Sequence, residues 1–294
     1  SPQDFSPAYR PMYTAMIEVH ETGNDASDLR LLADRGVAIG VLAKIVAADA
    51  GRGSIFGHSA LQALYCVGGK RTKDVLDTYL LKDFRYSANR AYVYAFGWEM
   101  SEPQRSGFIR DHLLKARPGK LSVQLEASPA ADGQSVTFTM RLKNTSADVL
   151  QVMEPQMYLG RHVYLRTDQG PYLKSVETIA YDPLMPRWLT LKPKESRDFS
   201  FTARLAEATG RDGRKRTVLR SRDYQWFLSQ PGPLTGVAMF EQPPLTDAHR
   251  KVAKVESPWT GRAVSRPVSF RVALRPPAAP RPAARGRLKG VSIR

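Results

Sequence analysis

The chain has 294 residues, 42% of them hydrophobic, and carries 44 Lys and Arg against 28 Asp and Glu for a formal net charge of +16. That length suffices for two domains that each bury a core. No run of about 18 apolar residues offers a membrane span, and a single cysteine, Cys66, excludes an internal disulfide or a cysteine-based zinc site.

The first residues lack the charged-then-apolar pattern of a signal peptide, and a start at Ser1-Pro2 is expected of an exported chain whose leader has been removed or of a trimmed chain. The segment SPAYRPMYTAMIEVHE reads as a capping helix. From about Asp28 to Arg117, short helical patterns alternate with breaks. Thr72, Ser87 and Ser101 suit helix starts, while Gly51, Gly68-Gly69 and Pro118-Gly119 suit stops. Each segment has one apolar stripe, such as Val75, Leu76, Tyr79 and Leu80, or Ala91, Tyr94, Ala95 and Trp98. Trp98 is expected to anchor a core, and Cys66, on a stripe in ALQALYCVGG, to be a buried inert thiol.

At Pro118-Gly119 the apolar period changes from 3.6 to 2. Leu121, Val123 and Leu125 alternate; so do Val136, Phe138, Met140 and Leu142, and then Phe199, Phe201, Ala203 and Leu205. Turn residues fall between them at Ala131-Asp132-Gly133, Asn144-Thr145-Ser146 and Asp212-Gly213, as expected of half-buried antiparallel strands. Asn144-Thr145-Ser146 also fits a glycosylation sequon, with a strand-to-strand turn the stronger reading.

The stretch TGRDGRKRTVLRSRD packs Arg211, Arg214, Lys215, Arg216, Arg220 and Arg222 into twelve residues with one acid among them, Asp212. Arg214, Lys215 and Arg216 are expected at a turn tip, with Arg220 and Arg222 on one face of the next strand. Such a ridge suits phosphates or carboxylates through bidentate arginine contacts, and a charged, protected edge strand is the alternative. Tyr224, Trp226 and Leu228 alternate and read as core; the competing reading stacks bases on the aromatics beside the ridge.

The last stretch, Arg271 to Arg294, holds seven Lys or Arg, including Arg281, Arg285, Arg287 and Lys289, and no acid. Its Pro/Ala/Arg composition cannot form a core, so its expected role is contact with an acidic partner. Residues 1–118 hold 15 basic and 13 acidic groups and residues 119–270 hold 22 and 15, so the charge excess lies in the later parts of the chain.

No catalytic pattern is complete. GHSAL at Gly57 to Leu61 lacks the second glycine of a nucleophile elbow, which makes Ser59 an ordinary helix residue. His20, His58, His112, His162 and His249 have no metal-ligand spacing, and no phosphate loop occurs. No cofactor or metal is expected.

Two resemblances give the expected architecture. TKDVLDTYLLKDFRYSANRAYVYAFGWE resembles a HEAT-like helical repeat, over roughly 90 residues, with an irregular helical bundle as the alternative. VTFTMRLKNTSADVL and LTLKPKESRDFSFTARL resemble bacterial immunoglobulin-like domains, with Lys194 standing where the family's turn usually has glycine. These imply a multidomain α + β chain: a helical HEAT-like domain over 1–118, an antiparallel immunoglobulin-like β-sandwich over 119–275, and a basic tail over 276–294. Residues 211 to 266 exceed a minimal sandwich. The expected function is non-enzymatic: a structural or adaptor subunit of a larger extracytoplasmic assembly, such as a filament or cell-envelope complex. Its partners would be protein subunits and an acidic protein, glycan or lipid surface. The alternatives are a nucleic-acid or ribonucleoprotein component, a cytoplasmic location, and an enzyme with an unfamiliar site in residues 150–190.

Overall fold

The computed structural model describes residues 37–50, 55–93, 100–117, 119–155, 162–167, 170–177, 187–209, 213, 215–228, 232–245, 250–251, 253–256 and 258–273. The capping segment before residue 37, Tyr94, Ala95, Trp98 and the tail from residue 274 onward lie outside these residues.

Five α-helices occur among the described residues: α1 (Val37–Asp49), α2 (Ile55–Val67), α3 (Lys70–Asp77), α4 (Ala88–Val93) and α5 (Glu102–Phe108). The first two are rich in apolar residues and bury Leu42, Ile45, Val46, Leu61 and Leu64. Gly57 lets them and the following chain approach closely, since a Cβ there would meet Asp49 and lie 2.5 Å from the Tyr86 hydroxyl. Helices α3 and α5 each widen into a π-turn, Thr78–Lys82 and Ile109–Leu113, closed by Asp83 N–H to Thr78 O and by Leu114 N–H to Ile109 O, both 2.8 Å. Thr72 lies inside α3, where its hydroxyl donates to Gly69 O (2.8 Å), whereas the Ser87 hydroxyl accepts from Arg90 N–H (3.1 Å) at the start of α4.

The expectation of a HEAT-like helical repeat domain is overturned. The molecule is mostly β, with only five short helices among the described residues, where a repeat array needs a succession of stacked helical pairs. Their apolar stripes pack mainly on one another, in one helical core that also takes in Tyr164 and Met239 from the strands, with Tyr172 and Val264 packed on it.

Thirteen strands occur among the described residues. A six-stranded antiparallel sheet has the order β1 (Leu121–Pro129), β2 (Ser135–Asn144), β8 (Ser196–Thr209), β9 (Lys215–Arg220), β10 (Tyr224–Leu228), β6 (Val176–Glu177). A five-stranded sheet contains β12 (Gly261–Val264), β11 (Gly232–Gln242), β4 (Val163–Thr167) and β5 (Leu173–Lys174), with β13 (Val268–Val272) also paired to β11. The strands β3 (Leu150–Met153) and β7 (Trp188–Leu191) form a separate pair. The inner face of the large sheet supplies Phe138, Met140, Phe199, Leu205, Leu219 and Trp226 to one core, joined by Val163, Leu165, Phe240 and Phe270 from the other sheet.

The immunoglobulin-like sandwich is also overturned. The sheets make a curled, half-barrel arrangement, and a sandwich is not clearly formed. The physical reason lies in β4 and β11. A sandwich leaves the outer face of each sheet wet, so its strands alternate. Here Val163, Tyr164 and Leu165 are all fully buried, and β11 is buried without interruption from Gly236 to Gln242, because the helices cover the face that a sandwich would expose. Along its edge β11 pairs first with β13, over Gly232 to Gly236, and then with β12, over Met239 to Gln242, which bends the sheet. The sequence boundary at 118 is bridged by a bond from Arg117 N–H to Arg262 O (2.8 Å).

Candidate functional site

The charged side chains fall into two groups with opposite character. The first is sealed between the helices and the sheet. Glu241 on β11 and Arg262 on β12 have side chains 3% and 0% exposed, and their charges meet at 2.7 Å. Glu241 accepts from the Ser87 hydroxyl (2.7 Å), Ala88 N–H (3.0 Å) and Asn89 N–H (3.1 Å), so the carboxylate caps the N-terminus of α4. Arg262 donates to His112 O and to Leu80 O (3.2 Å), one carbonyl in each of the two π-turns. An anion thus meets a helix N-terminus and a cation meets two C-terminal turns, the signs the backbone dipoles favour. The Arg262 guanidinium also lies 5.5 Å from the Phe84 ring centroid. Burial alone would raise the Glu241 pKa, but Arg262 and the converging donors outweigh it and hold the carboxyl below its ordinary range. Every polar partner here is committed to the fold, so the pair is an internal tie rather than a reactive centre.

Beside it, His112 lies among Tyr65 and Phe108, with ring centroids 5.5 and 5.1 Å away. Burial pushes its pKa down to about 4 despite Asp77 at 4.0 Å. Burial, aided by Asp111, lifts Tyr65 to about 12. The Tyr164 hydroxyl is fully buried without a hydrogen-bond partner, and burial raises its pKa well above 10. Ser59 and Cys66 are buried, and His58 accepts from Ser87 N–H (3.3 Å), so GHSAL is part of α2 packing. No group of three potential metal ligands occurs among the described residues.

The second group is exposed on the outer face of the large sheet. Of the expected ridge, Lys215, Arg216, Arg220 and Arg222 are described, while Arg211, Arg214, Arg281, Arg285, Arg287 and Lys289 lie outside the described residues. The structure separates the four. Lys215 and Arg216 open β9, Arg220 closes it, and Arg222 sits in the connection to β10 instead of sharing a strand face with Arg220. Lys215 projects to the inner side and pairs with Glu207 (3.3 Å), and Arg222 lies 3.8 Å from Asp223. Arg216 and Arg220 point outward on either side of the fully buried Val218, and the Arg216 guanidinium lies 6.0 Å from the Phe227 ring centroid. Tyr224, Trp226 and Leu228 are core, with the Trp226 indole donating to Val163 O (3.0 Å).

One contributor escaped the sequence reading. Arg204 on β8 is the direct cross-strand partner of Arg220, so two exposed guanidinium groups rise from one face of adjacent strands. Elsewhere on that face Arg141 and Asp198 form a double hydrogen bond with both distances 2.7 Å. Hydroxyl pairs Thr137–Thr202 (3.0 Å) and Thr139–Ser200 (2.8 Å) fill the space between. The chain matches no protein-family model, no curated protein and no solved structure.

Proposed function

We propose that this chain is a non-enzymatic structural or adaptor subunit that docks on an acidic surface of a larger, extracytoplasmic assembly. The contact surfaces are the outer face at β9 and the basic C-terminal stretch. The observation that carries this reading is the division of charge: the buried ionic pair is closed on itself, whereas Arg204, Arg216 and Arg220 share one exposed face with no acid paired to Arg220. The seven-to-none excess of bases from Arg271 to Arg294 adds to the same sign of field. No helix among the described residues is long and apolar enough to cross a membrane.

The test is retention of the full chain on immobilised polyglutamate, with and without residues 276–294, and with Arg281, Arg285, Arg287 and Lys289 replaced by Ala. Retention should weaken in both variants at unchanged melting temperature. It should also be released between 0.1 and 1 M salt, as the Debye length falls from about 10 Å to about 3 Å. Equal retention of wild type and tail-deleted chains would overturn the tail's role. A second reading, a single-stranded nucleic-acid surface, is favoured by Phe227, the half-buried aromatic beside Arg216 on the outer face. Tighter retention on polynucleotide than on polyglutamate at equal salt would select it.

A further inference from the structure

The outer face of the large sheet has a row that crosses four strands: Ser135 on β2, Arg204 on β8, Arg220 on β9 and Gln225 on β10 are successive cross-strand partners. Directly opposed residues on neighbouring strands have Cβ atoms about 5 Å apart, and like charges in that position repel. Elsewhere on this face an arginine has its carboxylate: Arg141 faces Asp198 across the same two strands, β2 and β8, that carry Ser135 and Arg204. The Arg204–Arg220 step is the opposite case. Arg204 donates only to the neutral Gln134 side chain (3.0 Å), and Arg220 has no hydrogen-bonded or ionic partner among the described residues. The acid beside Arg204, Asp132, feels its charge but is held by the amides of Gln134 (2.8 Å) and Ser135 (3.2 Å) and by the Ser135 side chain, which stabilise the β1–β2 turn.

The floor next to this row is apolar. Ala206, Val218 and Phe227 are the next cross-strand partners on the same face, and Val218 is fully buried. Beyond them Arg216 lies over Phe227. Two guanidinium forks side by side, flanked by the Gln225 amide and bordered by an apolar floor, carry two positive charges on a rigid support. A carboxylate would neutralise one of them. A tetrahedral dianion neutralises both and offers enough oxygens for two bidentate contacts.

We infer that Arg204 and Arg220 form a binding site for a tetrahedral oxyanion, a phosphate or sulfate group, with Gln225 as a flanking donor. This rests on the reading of the outer face as the acid-docking surface and gives that surface its ligand chemistry. The site reads the oxyanion itself, whether free or carried on the partner.

The experiment titrates the full-length chain with inorganic phosphate, inorganic sulfate and, as a monoanion control, acetate, at constant ionic strength. The arginine Nε–H resonances and the melting temperature are followed. Phosphate and sulfate should give saturable shifts at Arg204 and Arg220 and raise the melting temperature, with little response to acetate and none at Arg141. Arg204→Gln or Arg220→Gln should each weaken phosphate binding about tenfold, the loss of one charge-assisted pair of bonds, and the double variant should abolish saturation. Both substitutions lie on the exposed face and should leave folding intact, so a lost titration in a chain with a normal melt reports the site itself. Non-saturating shifts of equal size at Arg141, Arg204 and Arg220, or undiminished binding in the double variant, would overturn the proposal. The two readings fail separately. Polyglutamate retention that survives in the double variant while phosphate gives no saturable shift sinks this site and leaves the docking reading. Saturable phosphate binding without polyglutamate retention does the reverse.

Discussion

Arg262 and the Arg204–Arg220 pair are the same chemical group put to opposite uses. Arg262 is completely buried, and each of its contacts, to Glu241, His112 O, Leu80 O and the Phe84 ring, holds one part of the fold to another. Arg204 and Arg220 stand in solvent opposite each other, where their mutual repulsion gives the fold nothing. The difference teaches that a net charge of +16 does not itself locate an interaction surface. What locates it is where two cations stand side by side and one of them, Arg220, has no ionic partner among the described residues.

The hardest test of the buried side is to remove the sheet altogether. Residues 1–117 expressed alone should fail to melt cooperatively, because the helical core needs Tyr164 and Met239 and the helix ends need Glu241 and Arg262. A sharp calorimetric transition in that fragment would break the comparison. Next in size, Glu241→Ala leaves a buried guanidinium without its counter-ion and should cost about 3–5 kcal/mol in urea unfolding. The Glu241→Gln/Arg262→Met double variant should be milder than Glu241→Ala, since no unpaired charge remains. The neighbouring His112 sharpens the point through pH. Its pKa lies at about 4 in the fold against about 6.5 when unfolded, so the unfolded chain binds the proton more readily between those values. The stability is present above pH 6.5 and falls by up to about 3 kcal/mol as pH drops toward 4. His112→Gln should flatten that slope in pH-dependent denaturation; Asp111, whose carboxyl Arg110 holds below its ordinary value, contributes only at lower pH. The smallest effect belongs to the exposed side: Arg220→Gln should leave the melting temperature unchanged or slightly raised in phosphate-free buffer, a shift readable by differential scanning calorimetry.

Much of the large sheet is legible in the sequence because one of its faces is wet. The alternation of Val136, Phe138, Met140 and Leu142, and of Tyr224, Trp226 and Leu228, places those residues in the core, where they are. The other sheet is not legible for the complementary reason. GPLTGVAMFEQ and VYLRT face helices on one side and strands on the other, so their apolar residues run together and the period of 2 disappears. The helical segments between 55 and 113 carry readable stripes, yet a stripe does not say whether a helix or a sheet will cover it. Of the exposed surface, the basic run around Arg216 and Arg220 is visible as composition, whereas Arg204 enters only through strand register, sixteen positions away in the chain. Glu241 and Arg262 carry no local signal: each is an ordinary charged residue until β11 and β12 pair.

The tie between helix ends and sheet also sets a schedule. Ser87 waits for Glu241, 154 residues later, and Leu80 O waits for Arg262, 182 residues later. At a synthesis rate of about 5–20 residues per second, that interval is on the order of 10 s. Throughout it the first amides of α4 lack the carboxylate that caps them, and Leu80 O lacks its guanidinium. The tie between helix ends and sheet is therefore among the last contacts the chain can close.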